Sequence, residues 1–421
     1  MSQQIFSDVK VLDLTWYISG PYCAKLFADF GADVIKIERP EKGDPAREMG
    51  PFLGDEKHPE KSLLFSHLNL NKKSVTLNLK SGVGREIVVE LVKDSDILVE
   101  SFSPGVMERL NLDYETLHKI NPNLVMTSIS NFGQTGPYRD YKLSELVLNG
   151  FHSMIHCGVP DRYPLKKGGH VCLYQGGLIA ALATLGAFWA NEEQGLGQHV
   201  DVSLMETQAG DVDRKNIDLL AWSYSGDPVH AIRTDYEAWL AKNILPFGTF
   251  PCQDGFIVSL PIVTHWLRFV ELMKMPELAD RYNFPEDIFD MDVKGEIDVM
   301  WYEWLAERTK EEAMADCQAA RWFGTAVQTP QDVVEDPHFQ ERGFWQEVEH
   351  PVMGRLTYPG APVRVGPDSW QVRLPAPTLG QHNAEVYIHQ LGYTNEDLQK
   401  FKETGVIYKE IRSWPSCRWK G

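Results

Sequence analysis

No GxGxxG fingerprint, no closely paired cysteines and no surplus of positive charge occur in this chain, and each absence removes a class of function. Glu38, at the end of an early strand-like run, would suit a dinucleotide ribose, but only Gly20 stands in the preceding turn. Without the glycines that let a pyrophosphate approach the backbone, no nicotinamide or flavin cofactor is expected. The six cysteines, Cys23, Cys157, Cys172, Cys252, Cys317 and Cys417, include no CxxC pair and no spacing typical of a zinc site or a small disulfide scaffold. No metal is expected, and the thiols read as reduced in a cytoplasm. The formal net charge of -18 argues against a nucleic-acid partner, because phosphate binding needs clustered Lys and Arg. An anionic ligand must then find a local basic pocket. The start, MSQQIFSDVKVLDL, has no basic segment followed by an apolar core, so the expectation is no signal peptide and a mature chain beginning where the sequence does. The apolar run from Gly176 to Ala190 falls short of the roughly 20 residues that span a bilayer, so no membrane is expected either.

What is present is an alternating rhythm. The 421 residues, 43% of them hydrophobic, suffice for two or three domains. Val9 to Leu14 is a strand-like run, Ser19-Gly20-Pro21 a helix start, Tyr22 to Phe30 a helix stopped by Gly31, and Ala32 to Glu38 a second strand. Ser74 to Leu79, Ile97 to Glu100 and Leu124 to Ser128 repeat the strands, with helices over Gly84 to Lys93 and Tyr114 to Ile120 between them. Such alternation predicts a Rossmann-like, doubly wound parallel α/β sheet, in which ligands bind beyond the strand carboxyl ends. The loops there carry Arg39 and Arg47 after Glu38, Phe102 and Arg109 after Glu100, and Lys142 after Ser128. Several cations at strand ends of an acidic protein suit a phosphorylated ligand. Further on, the run before Ala190 reads as a helix, and His199 to Ser203 as a half-buried strand.

The organisation predicted is a large domain over 1–210, a linker over 211–246, a smaller α+β domain over 247–335, a second linker over 336–360, and a C-terminal segment over 361–421 returning to the large domain. Asp254-Gly255 between two strand-like runs predicts a hairpin, and Val293 to Arg321 predicts an amphipathic helix. On that helix Glu303, Glu307, Glu311 and Glu312 read as solvated rather than catalytic. The tail Ser413 to Gly421, with Trp414 and Trp419, is expected to dock on another surface.

Seven stretches in order carry a resemblance: VLDLTWYISGP (Val11 to Pro21), GADVIKIERPEKGDPAR (Gly31 to Arg47), LNKKSVTLNLKS (Leu70 to Ser81), VESFSPGVMERL (Val99 to Leu110), GLGQHVDVSL (Gly195 to Leu204), HPVMG (His350 to Gly354) and APTLGQHNAEV (Ala376 to Val386). Together they resemble the family III CoA-transferases, which include formyl-CoA:oxalate and carnitine CoA-transferases and 2-methylacyl-CoA racemases. The resemblance implies two chains interlocked as a dimer. It also implies coenzyme A as substrate, contacted by Arg39, Leu77, Lys80, Phe102, Arg109 and Lys142, with Trp16, Ile18 and Tyr174 near the acyl group.

In that family the segment before the long helix usually reads Asp-Tyr-Gln-x-Gly, and the aspartate is the nucleophile that passes through a mixed anhydride and an aspartyl-CoA thioester. Here it reads Leu173-Tyr174-Gln175-Gly176-Gly177. Leucine has no lone pair with which to attack a thioester, and no acidic residue lies between Arg162 and Asn191. Glu145, His156 and Cys157 are substitutes to weigh, against the plainer reading that Glu145 pairs with a cation and the other two are packing residues. The segment Leu260 to Trp266, LPIVTHW, also lacks the glycine that family members often carry in a covering loop. The expectation is a subunit of a two-subunit CoA-transferase, of the kind benzylsuccinate CoA-transferase exemplifies, whose homologous partner carries the aspartate. Its substrates would be an aromatic or dicarboxylic acid such as benzylsuccinate, with succinyl-CoA. The alternatives are a stand-alone CoA- or acyl-CoA-binding protein and an enzyme of altered chemistry using Glu145.

Overall fold

The computed structural model describes residues 4–151, 166, 168–210, 223–224, 226, 245–260, 263–282, 290–366 and 370–408. The chain divides into two compact units: Met1–Val212 with Arg342–Gly421, and Asp213–Glu341.

The first unit is built on a six-stranded sheet in which every pair is parallel. Strands β1 (Lys10–Leu14), β2 (Asp33–Glu38), β3 (Lys72–Thr76), β4 (Ile97–Glu100), β5 (Val125–Ser130) and β6 (His199–Ser203) lie in the order β3-β2-β1-β4-β5-β6. This is the doubly wound order expected from the alternation, with its switch point between β1 and β4, the crevice where such sheets bind ligands. Buried Val, Ile and Leu alternate to the two faces. Leu12, Leu14, Leu98 and Met126 enter one core with α3 (Gly82–Val92), while Val11, Val34, Val99 and Val125 enter the other with α1 (Ser19–Asp29). Ser81 caps α3 through Gly84 N–H, and Gly31, at φ 117, takes the chain from α1 into β2. Shorter helices fill the connections: α2 (Leu63–Leu68), α4 (Val106–Leu110), α5 (Tyr114–His118) and α6 (Glu145–Phe151).

Helix α7 (Val171–Gln194) is longer than the apolar run suggested. At 24 residues it is long and apolar enough, by length and composition, to cross a membrane, which corrects the reading that the segment is too short. Its inner face is engaged with protein. Gly177 packs so closely on α1 that a Cβ there would stand 2.4 Å from the Ser19 carbonyl oxygen, and Thr184 Oγ1 meets Thr127 Oγ1 of β5 at 2.7 Å. Val171, Leu178, Leu182 and Trp189 line an exposed face. A short helix α8 (Leu204–Ala209) follows β6, capped by Ser203.

The second unit carries a three-stranded antiparallel sheet, β7 (Gly248–Pro251), β8 (Phe256–Ser259) and β9 (Gly324–Ala326), with the expected hairpin turn at Asp254-Gly255. Helices α9 (Trp266–Met273), α10 (Glu277–Arg281), α11 (Met291–Ala306) and α12 (Lys310–Ala319) pack around Trp301, Phe269 and Trp322. The single helix expected over Val293 to Arg321 is two, because Thr309 and Glu312 form a capping box that starts α12. Two short helices, α13 (Pro330–Glu335) and α14 (Pro337–Glu341), close the unit.

Back in the first unit, residues within the expected second linker form an antiparallel hairpin, β10 (Trp345–His350) with β11 (Gly354–Pro359). The C-terminal segment then lies along the edge of β3: Asn383 bonds Thr76, His382 accepts from Ser74 N–H, and Tyr387 Oη donates to the Thr76 carbonyl. Helix α15 (Asn395–Glu403) completes it. The linker over 211–246 is largely, and the tail Ser413 to Gly421 wholly, outside the described residues.

Candidate functional site

Strand β1 ends at the switch point, and the chain turns there through Trp16, exposed Tyr17 at φ 67, and fully buried Ile18. Trp16 N–H donates to Ser101 Oγ at 3.0 Å, which ties the loop after β1 to the loop after β4. The Trp16 ring meets Phe102 edge-on at 5.3 Å, and the Arg39 guanidinium sits 4.4 Å from the Trp16 centroid. Arg39, held by Nε donating to Gly43 O at 3.0 Å, thus forms with Trp16 and Phe102 one aromatic-cationic cluster across the strand ends. Leu77, just past β3, is buried, while Lys80 is exposed. Arg109 is exposed on α4, after β4, and Lys142 is exposed in the loop after β5.

Not every cation in these loops is free for a ligand. Arg47 is fully buried: its Nε and Nη2 donate to the two Glu38 oxygens at 2.7 and 2.8 Å, Nη1 donates to Glu60 at 2.7 Å, and the group stacks 3.7 Å from the Phe65 centroid. Ser74 Oγ adds a bond to Glu38 at 2.6 Å. Burial pushes the Glu38 carboxyl up, but Arg47 outweighs it and holds the group below its ordinary range. Asp44 N–H donates to Glu38 as well, at 2.9 Å, so about four acceptor positions of this carboxylate are engaged within the protein.

A second buried network underlies β1 and β3. Lys72 Nζ donates to Asp13 Oδ2 at 2.8 Å, and Lys36 Nζ lies 2.9 Å from Asp44 Oδ2. Burial pushes Lys72 down to about 8 against the pull of Asp13. Burial also raises Asp13, but Lys36 and Lys72 overcome that and lower it. Asp44 carries the constraint outward, accepting from Tyr17 N–H at 3.1 Å.

Strand β4 ends in Glu100, buried at 3% exposure. One oxygen accepts from Phe102 N–H at 2.7 Å, and the Ser128 hydroxyl bonds both this carboxyl and His199 Nε2, the latter at 2.9 Å. Burial pushes Glu100 up to about 7, with Glu108 and Asp201 adding to the rise and Ser128 and Phe102 N–H opposing it. Burial lowers His199, whose ring stacks on Tyr114 at 5.3 Å. A cavity of about 30 Å³ beside Glu100, Ser128 and His199 has room for about one or two waters.

The head of α7 holds no carboxylate of its own. Leu173 packs half-buried against the core that contains Cys23 and Ala180. Tyr174 meets Tyr22 edge-on at 4.9 Å and faces His67 at 6.3 Å. Burial pushes His67 down to about 4, so this aromatic corner is uncharged at neutral pH. Glu145 Oε2 lies 2.6 Å from His170 Nδ1 and 3.8 Å from Lys166 Nζ. His156 and Cys157 lie outside the described residues, as do Pro261 and Ile262 of the LPIVTHW segment. Among the described residues no group of His, Cys, Asp and Glu is placed to hold a metal.

Chemically, the loops at the strand ends offer a π face and several cations, and the head of α7 carries no carboxylate, an arrangement that suits binding an aromatic, phosphorylated molecule. Sequence reasoning missed Glu100, Ser128 and His199, which are distant in the chain and adjacent only through strand pairing. The one signal available was an acid closing the apolar run Ile97 to Val99.

A model of CoA-transferase family III matches residues 6–383. The chain is 31% identical over 409 residues to succinyl-CoA–D-citramalate CoA-transferase of Chloroflexus aurantiacus, covering 95% of this chain and 97% of that one. It is 29% identical over 420 residues to subunit BbsE of succinyl-CoA:(R)-benzylsuccinate CoA-transferase of Thauera aromatica, covering 97% and 99%. Among solved structures, a CAIB/BAIF family protein from Brucella suis matches with a TM-score of 0.77 and 26% identity, over 92% of this chain and 100% of that one.

Proposed function

Because the chain belongs to CoA-transferase family III, we propose that it is the non-nucleophilic subunit of a two-chain enzyme that moves CoA between an acyl-CoA and a carboxylic acid. The observation that carries this reading is Leu173 at the head of α7, half-buried among apolar side chains where an ionised carboxylate would be needed. A relative similar over nearly the whole chain is named as one subunit of such an enzyme. Glu145 favours the same reading, since its carboxylate is paired with His170 and Lys166. A carboxylate stabilised by two neighbours is a weaker nucleophile.

In this reading an aspartate of the homologous partner attacks the donor thioester carbonyl. The C–S bond breaks and CoA thiolate leaves a mixed anhydride. The thiolate then attacks the aspartyl carbonyl, releasing the donor acid and forming an aspartyl-CoA thioester. The acceptor carboxylate attacks that thioester, and the thiolate finally takes the acceptor acyl group and frees the aspartate. This chain contributes the Trp16, Arg39 and Phe102 cluster as a CoA surface, with Leu77, Lys80, Arg109 and Lys142 around it, and with Ile18 and Tyr174 toward the acyl group. Two relatives named for succinyl-CoA support succinyl-CoA as donor, with an aromatic or dicarboxylic acid such as benzylsuccinate as acceptor. The family resemblance supports interlocked chains.

The test is co-expression with a homologous chain that has aspartate at the position of Leu173, followed by native mass spectrometry and a succinyl-CoA transfer assay. A heteromer is expected to transfer CoA, and this chain alone is not. Transfer by this chain as a homodimer overturns the reading. A CoA-binding homodimer without transfer supports the stand-alone binding protein instead. A hydroxylamine-trapped acyl group on Glu145 supports altered chemistry.

A further inference from the structure

We propose that Glu100 is a positioning residue for the loop after β4, and that an anionic ligand on the Trp16 and Phe102 rings binds with uptake of a proton onto its carboxyl, an inference that rests on the CoA reading above. The loop is fixed at two points. Ser101 Oγ accepts from Trp16 N–H at 3.0 Å, and Glu100 Oε2 accepts from Phe102 N–H at 2.7 Å, so the carboxyl that ends β4 sets where the Phe102 ring meets Trp16. Behind it the chain of bonds continues through Ser128 to His199, whose ring stacks on Tyr114. A hydroxyl between two groups donates to one and accepts from the other. With Glu100 neutral, its proton goes to Ser128 and Ser128 donates to His199 Nε2. With Glu100 ionised, Ser128 must donate to the carboxylate instead, and the whole chain reverses.

The surroundings favour the neutral form. Strand β1 sets Leu14 beside Glu100, β5 brings Ser128, β6 brings His199 and Asp201, and α4 brings Glu108, while Asp113 and Tyr114 at the start of α5 line the same cavity of about 30 Å³. Burial lowers His199, which keeps that ring uncharged at neutral pH. Arg109 and Arg139 lie against Gly105 of the loop and are not among the residues that line the cavity. Burial, with Glu108 and Asp201, therefore pushes the Glu100 carboxyl up to about 7. An anion bound over the loop adds to the same repulsion and raises it further. Below pH 7 the free and the bound protein both hold the proton, and affinity is at its full value. As pH rises the free protein ionises first and must regain a proton to bind, so affinity falls until the bound form ionises too.

The experiment titrates CoA by calorimetry from pH 6 to 8.5 into the full-length chain, purified with any partner chain it retains, for wild type, Glu100→Gln and Ser128→Ala. The ionisations of CoA itself are common to all three and cancel in the comparison. Wild-type affinity is expected to fall about tenfold more over this range than that of Glu100→Gln, the effect of a ligand-induced rise of about one pKa unit. At pH 7.5 wild type is also expected to take up more protons from the buffer than Glu100→Gln, seen as a steeper dependence of binding enthalpy on the ionisation enthalpy of the buffer. Ser128→Ala removes a bond that lowers Glu100, so its affinity is expected to fall at higher pH than that of wild type. A merely structural role for either residue would weaken binding alike at every pH. The same pH profile in wild type and Glu100→Gln, or an unmoved profile in Ser128→Ala, overturns the inference and leaves the CoA reading standing. Wild type that binds no CoA at any pH overturns both. Thermal midpoints at pH 6 check that the variants fold, and either variant alone decides the outcome.

Discussion

Replacing Glu100 with glutamine is expected to remove a loss of stability that wild type suffers between mild acid and neutral pH. The carboxyl is buried and its pKa is raised from 4.5 to about 7. Below pH 4.5 both the folded and the unfolded chain hold the proton, and the stabilising preference for the neutral form is fully present. As pH rises toward 7 the unfolded chain releases its proton first, so stability falls until the folded carboxyl also ionises. At about 1.4 kcal/mol per pKa unit, the loss attributable to this one group approaches about 3 kcal/mol by pH 8. Glutamine reproduces the protonated arrangement: its oxygen accepts from Phe102 N–H and its amide donates to Ser128 Oγ, which can then donate to His199 Nε2. Urea unfolding of both proteins from pH 4 to 8.5, followed by circular dichroism, is the assay. The variant and wild type are expected to unfold alike at pH 4, and the variant to be the more resistant at pH 8. A gap independent of pH, or one that opens toward acid, would refute the argument that burial dominates at Glu100.

Arg47→Ala strands Glu38 and Glu60 without their cation and is expected to cost about 3–5 kcal/mol, read as a lower urea midpoint; a loss below about 1 kcal/mol contradicts the assigned network. Gly177→Ala places a methyl 2.4 Å from the Ser19 carbonyl oxygen and is expected to lower the thermal midpoint by an amount corresponding to about 1–3 kcal/mol. Gly186→Ala, nine residues along the same helix with nothing within 4 Å of its Cβ, is expected to be neutral or stabilising by up to about 1 kcal/mol, and equal effects at the two sites would be the adverse result. Leu173→Asp is expected to give this chain a hydroxylamine-sensitive acyl group after incubation with acyl-CoA, seen by mass spectrometry and absent from wild type. An acyl group on the wild-type chain would show that another residue is the nucleophile.

Much of the first unit could be read from local pattern because its strands are buried on both faces and its helices on one. Continuous Val, Ile and Leu runs separated by helical spacing leave few alternatives, and β1, α1, β2, α3, β4, β5 and β6 fall within a few residues of their expected bounds. The hairpin of β10 and β11 was hidden by composition. Its alternating half-buried pairs, such as Val348 opposite Leu356, sit among Pro and Gly that suggest a loop. The break at Thr309 was hidden because its hydroxyl and Glu312 look like ordinary polar residues of an amphipathic helix until they cap one another.

The sequence alone determined the chemistry available at each position. It carried the family resemblance, and it put leucine, with no charge and no lone pair, at position 173. No packing can change that. Tertiary structure decided how the charged residues are used. Arg39 and Arg47 follow the same strand, but Arg47 is enclosed by Glu38 and Glu60, whereas Arg39 lies on Trp16 at the switch point. Charge is a property of the residue, but whether a charge is paired, buried or left facing a ligand depends on groups that only the folded chain brings within a few ångströms of it.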